Sequence, residues 1–239
     1  SRMNVKFLIE LVWYWDGSWM VAEILLNLGV LAVAALLLFA IGSRLEVDES
    51  SRRYQVSIGV VFGCVAAVVT FFPYVLPYGG VIDGRAGPIV LAGLYGGPIG
   101  GVIASVFCAI ARLAVGGAVV YGGVASCFVL AAMGIAAHFL YARRWRRAPG
   151  AVDLICIGAV STLSLVPLFF TALGPENSAH ALAEAWLPMA VSYIGSVVLL
   201  GVVYEEVRRA RRRTRDLERS LKISAMARNS AKIGVWRYQ

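Results

Sequence analysis

The chain has 239 residues, of which 59% are hydrophobic and 15% charged, well below the roughly 25% charged content of soluble domains. The apolar residues lie in long blocks that a water-soluble core does not need, which argues against a soluble enzyme, a disulfide scaffold or a disordered chain. The net charge of +8 is unevenly placed: residues 1–207 carry 11 Lys/Arg against 12 Asp/Glu, and residues 208–239 carry 11 against 2. A basic tail thus follows a near-neutral, membrane-class body.

The first element is expected at residues 4–15, where Phe7, Leu8, Leu11, Tyr14 and Trp15 share one helical face. This pattern suits an interfacial helix with an aromatic belt, and residues 1–18 form that unit. A spanning helix needs roughly 20 apolar residues, and blocks 19–42, 54–77, 122–142, 152–173 and 187–207 meet that length. The stretch 86–114 is interrupted by Gly96-Gly97-Pro98. It reads either as one kinked span or as a short helix 86–95 turning into a second helix 98–114.

Positive charge favours the second reading. Arg143, Arg144, Arg146 and Arg147 follow one block, and Arg208, Arg209, Arg211, Arg212 and Arg213 open the tail; both groups are expected in the cytoplasm. Loop 174–186 has no Lys or Arg and is expected outside. With two helices in 86–114, Arg44, Arg52 and Arg53 of loop 43–53 also lie inside. The predicted fold class is therefore all-α. It is a polytopic bundle of about seven membrane segments including one short broken helix, with the N-terminus out and the C-terminus in a bacterial cytoplasm. The short segment turns back within protein, where a break in the helix is tolerated.

Charge is rare in the outer half of this bundle, and Asp83, Arg85 and Arg112 are the exceptions. In the seven-segment topology Arg85 starts the short helix and Arg112 ends the next, so both arrive at the same membrane face. Ionisable groups there cost about 2.5–3.5 kcal/mol each on insertion scales, so they are paired or wet. Glycines flank both arginines, including Gly116-Gly117 and Gly122-Gly123, and segment 124–142 begins just beyond with Ser126 near its N-terminus. Two guanidinium groups, free backbone N–H groups, a helix N-terminus and a hydroxyl suit a small carboxylate. The candidate ligand-binding residues are Arg85, Arg112, Ser126, Asp83, Gly117 and Tyr121. The alternative is that Arg85 only pairs with Asp83 and Arg112 snorkels to head groups.

The ordered pieces Asp83-x-Arg85, Ala92-Gly93-Leu94-Tyr95-Gly96-Gly97-Pro98-x-x-Gly101, and Arg112 followed by Gly116-Gly117 carry a resemblance. The chain resembles the LytS/YhcK-type five-transmembrane LYT sensor domain of bacterial histidine kinases and diguanylate cyclases over about residues 25–207. The resemblance implies an extracytoplasmic sensor of a small ligand of the pyruvate-like carboxylate class, with Arg85, Arg112 and Ser126 in its site. Members of that family often carry a cysteine three positions before the serine; here that position is Gly123, and Cys127 follows Ser126. The AGLYGGPIGG turn is also similar to the substrate-binding subunits of energy-coupling vitamin transporters, so the alternative function is a small-solute transporter or its membrane-embedded binding subunit.

After Val207 the chain becomes polar and helical. Ala210, Thr214, Leu217, Leu221, Ser224, Arg228 and Ala231 follow an a/d heptad with few apolar knobs. Residues 208–230 are therefore expected to form a signalling helix in a parallel homodimer, or else a basic helix on anionic lipid. Residues 229–239 resemble the opening of a PAS domain, where a short helix leads into the first strand; residues 231–239 are its truncated start, expected to be disordered or helical without the rest of the sheet.

Cys64, Cys108, Cys127 and Cys156 lie singly in apolar runs with no CxxC, so no metal or cofactor is expected and they read as small packing residues. Glu23 and Asn27 suit a packing role, and His138 that of an interfacial or packed histidine. No nucleophile–base pair is visible, so no catalytic activity is expected of this chain. The expected partners are a small organic anion, membrane lipid and a second copy, with no nucleic acid.

Overall fold

A computed structural model describes residues 29, 51–72, 74–75, 81–117, 119–145, 147–173 and 175–236. The interfacial helix at 4–15 and, Gly29 apart, the block 19–42 lie outside the described residues.

Helix α1 spans Arg52–Thr70, and the Ser51 side chain caps it by accepting the Tyr54 N–H at 3.2 Å. Its buried residues, among them Tyr54, Ile58, Phe62, Ala66 and Thr70, recur every four positions, while Val56, Val60 and Val68 are exposed. An apolar outer face on an apolar helix is what lipid requires. The block expected to run to 77 stops as helix at Thr70, because Phe72 precedes a proline, which disfavours the helical conformation. Two-residue strands β1 (Tyr74–Val75) and β2 (Val81–Ile82) follow as an antiparallel pair, Tyr74 opposite Ile82.

Helix α2, Ala86–Val115, is broken at Gly97, whose φ of 62° and ψ of −157° only glycine adopts readily. The break is a reversal. A Cβ at Gly100 would lie 2.8 Å from the Ala92 carbonyl oxygen, and one at Gly101 would lie 3.2 Å from Gly93 Cα. In a straight helix residues eight apart are about 12 Å apart. Residues 86–96 and 98–115 therefore form two antiparallel limbs packed through glycine. Pro98 has no N–H to offer the Leu94 carbonyl, and His138 takes its place with Nδ1 2.8 Å from that oxygen. His138 is thus a packed histidine that caps the end of the first limb.

Helix α3, Val120–Phe139, begins after Gly116 and Gly117, both at positive φ. It lies along both limbs: Gly134 abuts the Val90 carbonyl and Gly93, and Ile135 abuts Gly101. A π-helical turn, Leu140–Trp145, closes it, so the basic run expected as a loop after 142 begins inside helical backbone. Helix α4, Ala151–Leu173, starts with Asp153 accepting from the Gly150 N–H at 2.7 Å and from Arg147 at 2.6 and 2.9 Å.

Helix α5 runs from Pro175 to Trp236, 62 residues, or roughly 90 Å. The stretch 175–186, expected as an outer loop, is helical, since Pro175-Glu176 is a strong helix start and the alanine-rich run after it favours continuation. The tail is the same helix, which continues through residues 231–236. Contacts at Gly87–Ser196, Gly158–Ile194 and Gly201–Leu154 dock α5 onto the first limb and α4. Further along α5, Tyr204 hydrogen-bonds Tyr54 and packs on Tyr95 with ring centroids 4.2 Å apart. Beside them a cavity of about 500 Å³ opens between the hairpin turn and the root of the tail, lined in part by His138, Arg147, Arg208 and Arg212.

Five helical runs among the described residues are long and apolar enough to cross a membrane: Arg52–Thr70, Ala86–Val115, Val120–Ala142, Ala151–Leu168 and Met189–Ala227. The second is the doubled-back hairpin. The chain is an all-α, multi-pass membrane bundle.

Candidate functional site

The reversal at Gly97 gathers the charges. Arg85 precedes the first limb and Arg112 sits near the end of the second, 27 positions apart in sequence, yet they lie within electrostatic reach of each other and of Asp83. All three are withdrawn from solvent, at 3%, 1% and 1% exposure. Arg85 Nε is 3.2 Å from Asp83 Oδ1, and the same oxygen accepts the Arg85 backbone N–H at 3.2 Å. Arg85 Nη2 donates to Ser126 Oγ at 3.2 Å, and Ser126 donates to the Gly123 carbonyl at 2.7 Å. Asp83, Arg85 and Ser126 thus form one chain of contacts from the β2–α2 corner to α3.

That chain leaves buried polar atoms over. Among the described residues, Asp83 Oδ2, Arg85 Nη1 and Arg112 Nε have no hydrogen-bond partner. The three ionised groups sum to one positive charge. An orphaned buried donor costs about 1–3 kcal/mol, more when charged. Arg85 Nη1 and Arg112 Nε are thus buried donors left over by the contacts among the described residues.

Glycine supplies the space for the second guanidinium. A Cβ at Gly123 would strike Arg112 Nε and lie 3.1 Å from its Cγ and Cδ, so Arg112 lies flat on the first turn of α3. Gly117, at φ 104°, also lies beside the guanidinium, where a Cβ would sit 3.8 Å from Nη2. Of the six candidate residues, Asp83, Arg85, Arg112, Ser126 and Gly117 are brought together. Tyr121 is not: it is 81% exposed on the surface of α3, away from the buried cluster.

A model of the family 5TMR of 5TMR-LYT matches residues 38–207. The chain belongs to this family. No curated protein and no solved structure matches it. Membership in 5TMR-LYT makes the chain a transmembrane sensory module of a signalling receptor.

Several residues around this cluster carry no sequence signal. Tyr193 and Ser196 reach it from α5: Tyr193 is within electrostatic reach of Asp83 and Arg85, and Ser196 Oγ accepts the Gly87 N–H at 3.0 Å. Nothing in the apolar block 187–207 sets these two apart from packing residues. Cys108 and Cys127, which read as isolated packing residues, meet with their sulfurs 3.4 Å apart, and Thr70 Oγ1 lies 3.4 Å from Cys108. Their pairing follows only from the antiparallel course of the second limb and α3.

Proposed function

We propose that this sensory module binds a small monocarboxylate from the extracytoplasmic side and passes the signal along α5 to a cytoplasmic output region. The observation that carries the reading is the pair of arginines at the two ends of the hairpin, with Arg85 Nη1 and Arg112 Nε buried and without a partner among the described residues. A carboxylate supplies two oxygens in the plane a guanidinium fork prefers. One negative charge balances the cluster of two arginines and Asp83, which favours monoanions over dicarboxylates. Asp83 in this reading orients Arg85 and leaves it a free Nη1. Ser126 holds Nη2 of the same guanidinium.

Bacterial inner-membrane location and an outward-facing site rest on the distribution of arginine, which crowds the opposite end at 143–147 and 208–213. Relay to a PAS, kinase or cyclase output rests on the continuity of α5. The Gly87–Ser196 hydrogen bond ties the start of the first limb to α5 about eight residues before Tyr204, and the same helix then becomes the tail. Leu217 and Leu221 are 66% and 69% exposed, so the heptad seam is free for a second copy, and a homodimer completes the proposal.

The test is calorimetric titration of acetate, lactate, pyruvate and succinate into the protein in lipid nanodiscs, against Arg85→Ala and Arg112→Ala. Each charge-assisted contact is worth roughly 1.5–3 kcal/mol, so each substitution weakens the best monocarboxylate by about 10- to 150-fold. Folded variants that bind it as tightly as the parent would overturn the two-arginine site.

A further inference from the structure

Cys108 and Cys127 are fully buried, with 0% exposure each, and both are free thiols. Cys108 lies one helical turn before Arg112 on the second limb, and Cys127 directly follows Ser126 on α3. Their sulfurs are 3.4 Å apart. A disulfide bond is about 2.05 Å long, so closure of roughly 1.4 Å separates the pair from a bond. Thiol rotation and a slight approach of two helices already touching at Gly123 and Arg112 supply such a distance. Cys64 and Cys156, by contrast, are exposed on separate helices.

We propose that Cys108 and Cys127 are an oxidation site: they form a reversible intramolecular disulfide that clamps the second limb to α3 and closes the arginine cluster. The oxidant is a peroxide of water-like size. One thiol, as thiolate, attacks a peroxide oxygen; the O–O bond breaks, a sulfenic acid forms, and the departing hydroxide leaves as water with that thiol's proton. The second thiolate attacks the sulfenic sulfur; the S–S bond forms, the S–O bond breaks, and the hydroxyl leaves as a second water with the second proton. The two sulfurs lose two electrons and the peroxide gains them. Arg85 and Arg112 lie within electrostatic reach of both thiols, and a cation beside sulfur stabilises the negative charge that the attacking group carries. The outward orientation proposed above also places the pair on the side where disulfides persist; the chemistry of the pair itself does not depend on that reading. Because the disulfide joins residues one turn from Arg112 and adjacent to Ser126, it shortens the gap that Arg112 occupies. The module then reports the carboxylate only in the reduced state.

The experiment uses the chain in nanodiscs with Cys64→Ser and Cys156→Ser, which leaves the native pair intact. Hydrogen peroxide is titrated in, free thiols are alkylated, and the peptides are read by mass. Site closure is read separately, without any carboxylate, as the rate of phenylglyoxal modification of Arg112. The expected result is a Cys108–Cys127 linked peptide that dithiothreitol removes, together with Arg112 labelling slowed about tenfold or more, as for a local opening made rarer by the clamp. Cys108→Ser and Cys127→Ser abolish both effects. Sulfinic or sulfonic products without the linked peptide overturn the proposal, and so does a linked peptide with unchanged Arg112 labelling. Neither readout involves a carboxylate, so a failure of carboxylate binding leaves this test unaffected.

Discussion

Replacing Gly123 by alanine perturbs the site through a single methyl group. The new Cβ falls on Arg112 Nε and within 3.1 Å of Arg112 Cγ and Cδ, where carbon–carbon packing needs about 3.5–4.0 Å. The obstacle is a side chain rather than backbone, so the helix stays in place and the guanidinium swings off α3. The stability cost is therefore at the low end of overpacking, about 1 kcal/mol. Binding suffers more. Displaced by even half an ångström, Arg112 no longer presents its fork in plane with the carboxylate. Losing one charge-assisted contact of roughly 1.5–3 kcal/mol weakens binding about 10- to 150-fold. The assay is calorimetric titration of the best monocarboxylate in nanodiscs, with thermal unfolding measured on the same samples. Gly195→Ala is the control, since a Cβ there meets nothing within 4 Å. Wild-type affinity in a stably folded Gly123→Ala protein would refute the argument that this glycine places Arg112 for the ligand. A large loss of stability with intact affinity would refute it as well, since the backbone rather than the arginine would have yielded.

Gly134→Ala is expected to behave in the opposite way: its Cβ runs into the Val90 carbonyl and to 3.1 Å from Gly93 Cα, backbone that cannot move aside, so thermal unfolding falls steeply and little folded protein is recovered. Gly97→Ala forces a side chain to φ 62° and ψ −157° at a cost of about 1–3 kcal/mol, seen as a lowered unfolding temperature and a wider separation of spin labels on the two limbs. Asp83→Asn removes the counterion of buried Arg85 and costs about 3–5 kcal/mol; because the cluster then carries a larger positive charge, added lactate raises the unfolding temperature more than in the parent, and an equal or smaller rise counts against the anion site. Leu217→Cys is expected to crosslink between copies in membranes, checked by non-reducing electrophoresis on a background without the four native cysteines, and a chain that stays monomeric under oxidation speaks against the heptad dimer.

The membrane class, the helical make-up and the identity of the charged residues were legible in the sequence, because lipid admits long apolar helices and penalises every buried ion. Asp83, Arg85 and Arg112 stand out by rarity alone, and Gly96-Gly97-Pro98 marks the break by backbone chemistry. Helix ends were less legible: Thr70 ends α1 because of a downstream proline, and 175–186 is helical although it lacks the apolar length that marks a span. Ser126 and Gly117 apart, the uncharged residues around the cluster stayed hidden. Ser196, Tyr193, Thr70 and the Cys108–Cys127 pair come from separate helices with ordinary apolar spacing, and no local pattern records which helices touch. Tyr121 lies apart from the cluster for the same reason, since proximity along the chain says nothing of which side of α3 faces the limbs. The tertiary structure decided these points through one event. Once the chain reverses at Gly97, residues 85 and 112 share one end of the bundle, and α3 and α5 must bring to that end whatever their own registers place there.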